Sequence, residues 1–137
     1  MTSRPMFLLD TDTCSCVMKR SSAPLLKRIR TVSLEDQSVS IVTVAELLYG
    51  VELSSRRDAA RQAFDAFIRH LAILDWDYPA AEHYAQIRAD LRRRGSPIGS
   101  NDLMIAAHAR SIGATLVTNN VREFERVQGL RVANWAH

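Results

Sequence analysis

Polar residues stand where apolar segments begin or end, the places from which a fold aims side chains into a shared site. Asp10 closes the apolar run at residues 6–9, and Asp12 follows it. Glu46 lies three residues after Thr43, the S/T-x-x-E spacing of a capping box. Asp102 follows Ser100 at the head of a segment rich in Leu, Ile and Ala, and Asn119-Asn120 close a fourth apolar run, with Glu123 just beyond. Each has a local explanation: Asp10 as a helix cap, Glu46 as the reciprocal partner in its box, Asp102 as a charge favoured by a helix dipole. Brought to one edge, they form an oxygen-only carboxylate set suited to a hard divalent cation, Mg²⁺ or Mn²⁺. Such a centre activates water and stabilises charge developing on a phosphodiester oxygen.

Other chemistries lack their residues. The five glycines, at 50, 95, 99, 113 and 129, fit no phosphate-binding loop spacing. His70, His83, His108 and His137 show no triad pattern, and His108 reads as a packed structural residue. Cysteine is confined to Cys14 and Cys16, too few for a zinc site; Cys14-Ser15-Cys16 is either a redox pair or, the plainer reading, two small buried residues on a helix.

The elements that must position the acids follow from apolar spacing. Strands are expected at residues 6–9, 39–42, 72–74, 115–118 and, at an edge, 130–132. Helices are expected at 14–19, 23–29, from Thr43 to Gly50 or beyond, 57–70, from the cap Asp77 to 91, from the cap Ser100 to 112, and as one turn at 121–126. Residues 33–38 read as a loop. Short strands alternating with helices predict an α/β fold with a parallel sheet covered on both faces, whose ligands bind beyond the carboxyl ends of the strands. That edge carries Asp10, Thr43 and Glu46, and Asn120.

The chain has 137 residues, 47% hydrophobic and 24% charged, which is one domain's worth of an ordinary globular protein. A fold of this length buries roughly 68% of its surface and needs no disulfide or structural metal. Two-domain enzymes are excluded. No stretch has the length of a membrane span or the form of a signal peptide, so the expected location is cytoplasmic. The net charge is +3, and 16 of the 18 basic residues are arginine. Residues 88–110 hold five of these arginines against two aspartates, so the excess is local. Arg88, Arg92, Arg93 and Arg94 either hold a polyanion or form a solvated helix end.

Four motifs together resemble the PIN-domain ribonucleases of the VapC toxin family: Leu8-Leu9-Asp10-Thr11-Asp12; Ser40-Ile41-Val42-Thr43-Val44-Ala45-Glu46-Leu47-Leu48-Tyr49-Gly50; Pro97-Ile98-Gly99-Ser100-Asn101-Asp102-Leu103-Met104-Ile105-Ala106-Ala107-His108-Ala109; and Leu116-Val117-Thr118-Asn119-Asn120-Val121-Arg122-Glu123-Phe124. The resemblance covers nearly the whole chain. It implies one PIN-like domain over residues 1–137, a three-layer αβα sandwich around a short parallel β-sheet. The implied activity is Mg²⁺-dependent endoribonuclease, the toxin of a toxin–antitoxin pair that cuts structured RNA such as tRNA or rRNA. The family's metal acids map onto Asp10, Glu46 and Asp102, with Asn120 and Glu123 both candidates for the fourth position.

The implied partners are a VapB-like antitoxin and a second copy of the chain in a homodimer. The helices at 23–29 and 44–53 are candidates for the antitoxin contact. Asp12 stands where the family commonly has Asn, and Glu123 where many members have Asp. The expected reaction is in-line hydrolysis at phosphorus, leaving a 3′-hydroxyl and a 5′-phosphate, with Asp10 and Asp102 holding the metal while Glu46 ligates it or orients water. One rival is an RNA- or partner-binding domain that does not cleave. The other is a haloacid-dehalogenase-type phosphatase with Asp10 as nucleophile, suggested by Asp10-Thr11-Asp12-Thr13; its downstream lysine is missing, since the chain has only Lys19 and Lys27.

Overall fold

Leu8 and Leu9 are adjacent in sequence and both fully buried, yet each joins a different hydrophobic cluster. This is the period of a strand covered on both faces, and Leu116 and Val117 repeat it one strand away. The computed structural model describes residues 6–136; His137 and the first residues of the expected domain lie outside them. The elements are β1 (Phe7–Leu9), α1 (Thr11–Lys19), α2 (Ala23–Thr31), β2 (Gln37–Ser40), α3 (Ile41–Leu53), α4 (Arg57–Ile68), β3 (Ala72–Leu74), α5 (Tyr78–Arg93), α6 (Ser100–Ser111), β4 (Thr115–Val117), α7 (Val121–Phe124) and β5 (Arg131–Ala133).

All strands are parallel, in the order β3-β2-β1-β4-β5, with Leu8 opposite Ser38 on one side and Leu116 on the other. β5 is an edge strand, as expected. One face of the sheet carries Leu8 and Leu116 against Ile87 and Leu91 of α5 and Leu103 and Ile105 of α6. The other carries Leu9, Val39 and Val117 against Cys14, Leu25, Leu47 and Phe64 of α1 to α4. The result is the expected three-layer αβα sandwich. Gly95 (φ 65°) and Gly113 (φ 69°) end the α5 and α6 segments in the left-handed conformation that glycine adopts without strain.

The boundary between β2 and α3 differs from the expectation. The strand is residues 37–40, not 39–42, and part of the expected loop at 33–38 belongs to it. Every residue of β2 is buried although three are polar, and each polar side chain bonds a group outside the strand, with Gln37 Oε1 left unpaired. Gln37 Nε2 donates to the Ile29 and Val32 carbonyls, Ser38 Oγ donates to the Phe7 carbonyl, and Ser40 Oγ lies 2.8 Å from His108 Nδ1. Ile41 and Val42, read as strand from their β-branching, are the first turn of α3.

Candidate active site

β1 delivers Asp10 to the carboxyl edge of the sheet, where its N–H donates to the Val117 carbonyl at 3.0 Å. It is also the cap of α1: its Oδ1 accepts from the Thr13 N–H at 2.8 Å. The side chain of Thr118, fully buried at the end of β4, bonds the same carboxylate and accepts the Asn120 N–H at 2.9 Å. Asp10 is thus cap and site residue at once, 3% exposed. Burial raises its pKa above the ordinary carboxyl value, against the lowering effect of Thr118 and Thr13.

Glu46 is not part of a capping box. The cap of α3 is Ser40, whose Oγ accepts the Val42 N–H at 3.1 Å, so Thr43 is already inside the helix and buried. Glu46 is therefore free of backbone duty. Its Oε1 accepts from Thr11 Oγ at 2.6 Å and its Oε2 from Asn101 Nδ2 at 3.0 Å, so it bridges the first turns of α1 and α6.

Asp102 lies in the first turn of α6, whose cap is Gly99 rather than Ser100; no side chain caps this helix. A β-carbon at Gly99 would stand 3.5 Å from Asp102 Oδ2, an ordinary contact. The position's contribution is its N–H, which donates to Glu123 Oε1 at 3.3 Å. Asn120 Nδ2 donates to the other oxygen, Glu123 Oε2, at 2.7 Å. Of the two candidates for the fourth position, Glu123 is the carboxylate that meets Asp102, and Asn120 holds it. Asp102 is pushed up to about 7, first by burial, then by a shared hydrogen bond and charge repulsion with Glu123, then by the charges of Asp10 and Glu46.

Segments distant in sequence thus bring Asp102 within the electrostatic reach of Asp10, Glu46 and Glu123. Among the described residues, no three His, Cys, Asp or Glu side chains stand drawn together as a ready ligand set. The acids are instead parted by neutral donors: Thr11 and Asn101 on Glu46, Asn120 and Gly99 on Glu123. The donor set fits a hard divalent cation. It is oxygen-only, and a cation there would offset the charge repulsion that Asp102 feels from Glu123, Asp10 and Glu46. Asp12 is exposed and lines the trough between α1, α3 and α4, adding to the charge that Asp10 feels.

The arginine cluster divides. Arg94 pairs with Asp90 at 2.7 Å and donates to the Arg126 carbonyl at the end of α5. Arg110 is structural as well, donating to His83 Nδ1, Gln86 Oε1 and the Gln128 carbonyl. Arg88 and Arg92 line a cleft between α5 and α6, and Arg93 is exposed. His108 is the packed residue expected, and Cys14 is fully buried. In α2 Leu25 is buried and Ile29 packs against the same core cluster, while Leu26 is only partly buried; Tyr49 and Leu53 of α3 are exposed.

Sequence reasoning passed over Thr11, Asn101 and Thr118 and left the role of Asn120 open. Each is a short polar residue one or two positions from an acid or a strand end, which is the signal that marks them.

A family model described as "PIN domain" matches residues 8–130. The chain is 43% identical over 130 residues to a Shigella flexneri protein named tRNA(fMet)-specific endonuclease VapC, covering 95% of this chain and 98% of that one. It is 43% identical over 129 residues to ribonuclease VapC2 of Haemophilus influenzae, covering 94% and 97%. The DNA-bound VapBC structure of Salmonella typhimurium superposes with a TM-score of 0.91 at 41% identity, over 96% of this chain and 99% of that one. VapBC2 of Rickettsia felis, also bound to DNA, gives a TM-score of 0.89 at 32% identity, over 95% and 98%. With four motifs, sheet order and acidic edge in agreement, the chain belongs to the PIN-domain family, among the VapC ribonucleases.

Proposed function

We propose that the protein is an endoribonuclease toxin that hydrolyses phosphodiester bonds in structured RNA, with Mg²⁺ or Mn²⁺ held by Asp10, Asp102 and Glu46 and with Glu123 as the fourth acid. The observation that carries this reading is that Asp102 lies within reach of the charges of Glu123, Asp10 and Glu46 at one edge of the sheet. When bound, the cation supplies an activated water and offsets charge developing on the phosphate oxygens.

The protein's own residues do the positioning. Thr13 and Thr118 fix the Asp10 carboxylate, and Thr11 and Asn101 fix the two oxygens of Glu46, aiming it as a ligand or as the group that orients water. Asn120 orients Glu123 toward Asp102. Arg92 and Arg93 provide cations for the RNA backbone. The reaction is in-line displacement leaving a 3′-hydroxyl and a 5′-phosphate. The relatives named for tRNA(fMet) make initiator tRNA the first substrate to test, with other tRNAs and rRNA behind it.

The proposed partner is a VapB-type antitoxin, in keeping with the VapBC complexes among the similar structures. The trough between α1, α3 and α4 fits an apolar segment of it, being lined by Met18, Leu47, Val51 and Ala60 and reaching Glu46. Exposed Ile41 and Tyr49 of α3 offer a surface for a homodimer. No described helix is long and apolar enough to cross a membrane, in keeping with a cytoplasmic site of action.

The test is incubation of the protein, freed of its antitoxin, with initiator tRNA. Cleavage with Mg²⁺, its loss in excess chelator and its return with Mn²⁺ are expected. Binding without cleavage under all three conditions would favour the non-cleaving reading.

A further inference from the structure

The cleft between α5 and α6 has a volume of about 380 Å³, within the usual size of small-ligand sites. Its apolar lining comes from Leu91, Ile98 and Leu103, with Pro97 at the rim. Its polar groups are those of Tyr84, Arg88, Arg92 and Ser100. The segment 98–100 separates it from the acids: Ile98 and Ser100 line the cleft, while the N–H of Gly99 between them donates to Glu123. A group seated in the cleft is therefore separated from the acidic edge by the backbone segment 98–100.

Arg88 is set in place. Its guanidinium lies 5.8 Å from the Tyr84 ring and its Nη1 donates to the Tyr84 hydroxyl at 2.9 Å. Tyr84 meets Trp76 edge to face at 5.9 Å, and Trp76 is anchored by its Nε1–H on the Met104 carbonyl. An arginine carries five N–H donors and no acceptor, so the remaining fork suits a partner that presents two acceptors side by side. Of the two purines, guanine is the one that presents such an edge, through O6 and N7. Recognition of single-stranded RNA uses this combination of a splayed base, an apolar or aromatic wall and a guanidinium.

We infer that the cleft bounded by Tyr84, Arg88, Ile98 and Leu103 is a subsite for an unstacked nucleobase flanking the scissile phosphate, with guanine preferred. The inference rests on the nuclease reading, whose acids would hold the adjoining phosphate.

The test uses the full chain carrying Asp10→Asn to prevent cleavage, and fluorescence anisotropy with labelled oligouridines. The oligomers carry one internal guanosine, adenosine or abasic site. The guanosine oligomer should bind roughly tenfold tighter than the abasic one, as one bidentate contact provides. In the same protein with Arg88→Lys, which keeps the charge, that preference should fall below about threefold while abasic binding stays within a factor of two. Equal binding of the guanosine and abasic oligomers, or a preference that survives R88K, overturns the subsite. Loss of antitoxin binding in R88K with the guanosine preference unchanged also overturns it, by giving the cleft to the protein partner. A wild-type protein that cuts RNA but shows no base preference defeats the subsite alone. One that prefers guanosine but never cuts RNA defeats the nuclease reading and leaves the base-binding cleft.

Discussion

The Asn120 side chain donates to Glu123 Oε2 at 2.7 Å, and Glu123 in turn meets Asp102, so the residue before α7 sets the position of an acid on that helix. Asn120 immediately precedes α7, yet its side chain caps no backbone N–H of that helix. Removing this amide leaves Glu123 with the Gly99 N–H and its contact with Asp102. Asn120→Ala should lower RNA cleavage about 10- to 100-fold, the usual loss when a group orienting a metal-site residue is removed. Asn120→Asp should do worse at limiting metal, because it places a second negative charge against Glu123. Steady-state cleavage at several Mg²⁺ concentrations checks both.

Asp102 titrates at about 7 in the fold against an ordinary 3.8. The folded chain binds this proton more tightly than the unfolded chain, so the stabilisation is complete below the ordinary value and lost as pH rises through 7. Asp10, also raised, acts in the same direction, whereas His108, lowered by burial, removes stability as pH falls below 6.5. The Asp102 contribution is therefore isolated by comparing wild type with Asp102→Asn in denaturant titrations. The difference in stability should shift in favour of Asp102→Asn as pH rises from 5 to about 8.

The same proton competes with a cation. Metal affinity should rise with pH up to about 7 and then level, with about one proton released per metal bound near pH 6. Calorimetry in buffers of different ionisation enthalpy measures that release. At a cation concentration about 100 times its Kd, the protein should gain about 2.7 kcal/mol of stability, and Asp102→Asn far less.

His108 is 1% exposed, and its Nδ1 meets Ser40 Oγ at the junction of β2 and α3. His108→Ala leaves a cavity and deprives Ser40 of its partner, and should cost about 2–4 kcal/mol. Because the histidine touches none of the acids, cleavage per folded molecule should be nearly unchanged, as a comparison of unfolding midpoints with activity at low temperature would establish.

The sandwich was legible because β1 and β4 are short apolar runs ending in polar residues, and Asp10 was placed correctly for the same reason. The start of α3 was not legible. Val39 to Val42 carries a β-branched pattern, and what makes Ser40 a helix cap and keeps Gln37 in a strand is tertiary: a histidine 68 residues away and two carbonyls of the preceding helix segment. That misplacement gave Glu46 a backbone partner it does not have. The choice between Asn120 and Glu123 also depended on geometry, since two polar residues three positions apart look alike until one is seen to hold the other. Arg94 shows the converse: its charge was evident in sequence, its commitment to Asp90 and the Arg126 carbonyl only in the fold.

In the proposed function the acids around Asp102 act through a divalent cation to cut RNA. The most direct test is cleavage of end-labelled initiator tRNA by wild type, Asp10→Asn and Asp102→Asn, each freed of antitoxin, with Mg²⁺ and with chelator. Cutting by the wild type with Mg²⁺ only is expected, with a loss of at least about 100-fold in both folded variants. Cleavage at the wild-type rate by either variant, or by the wild type in chelator, would contradict it.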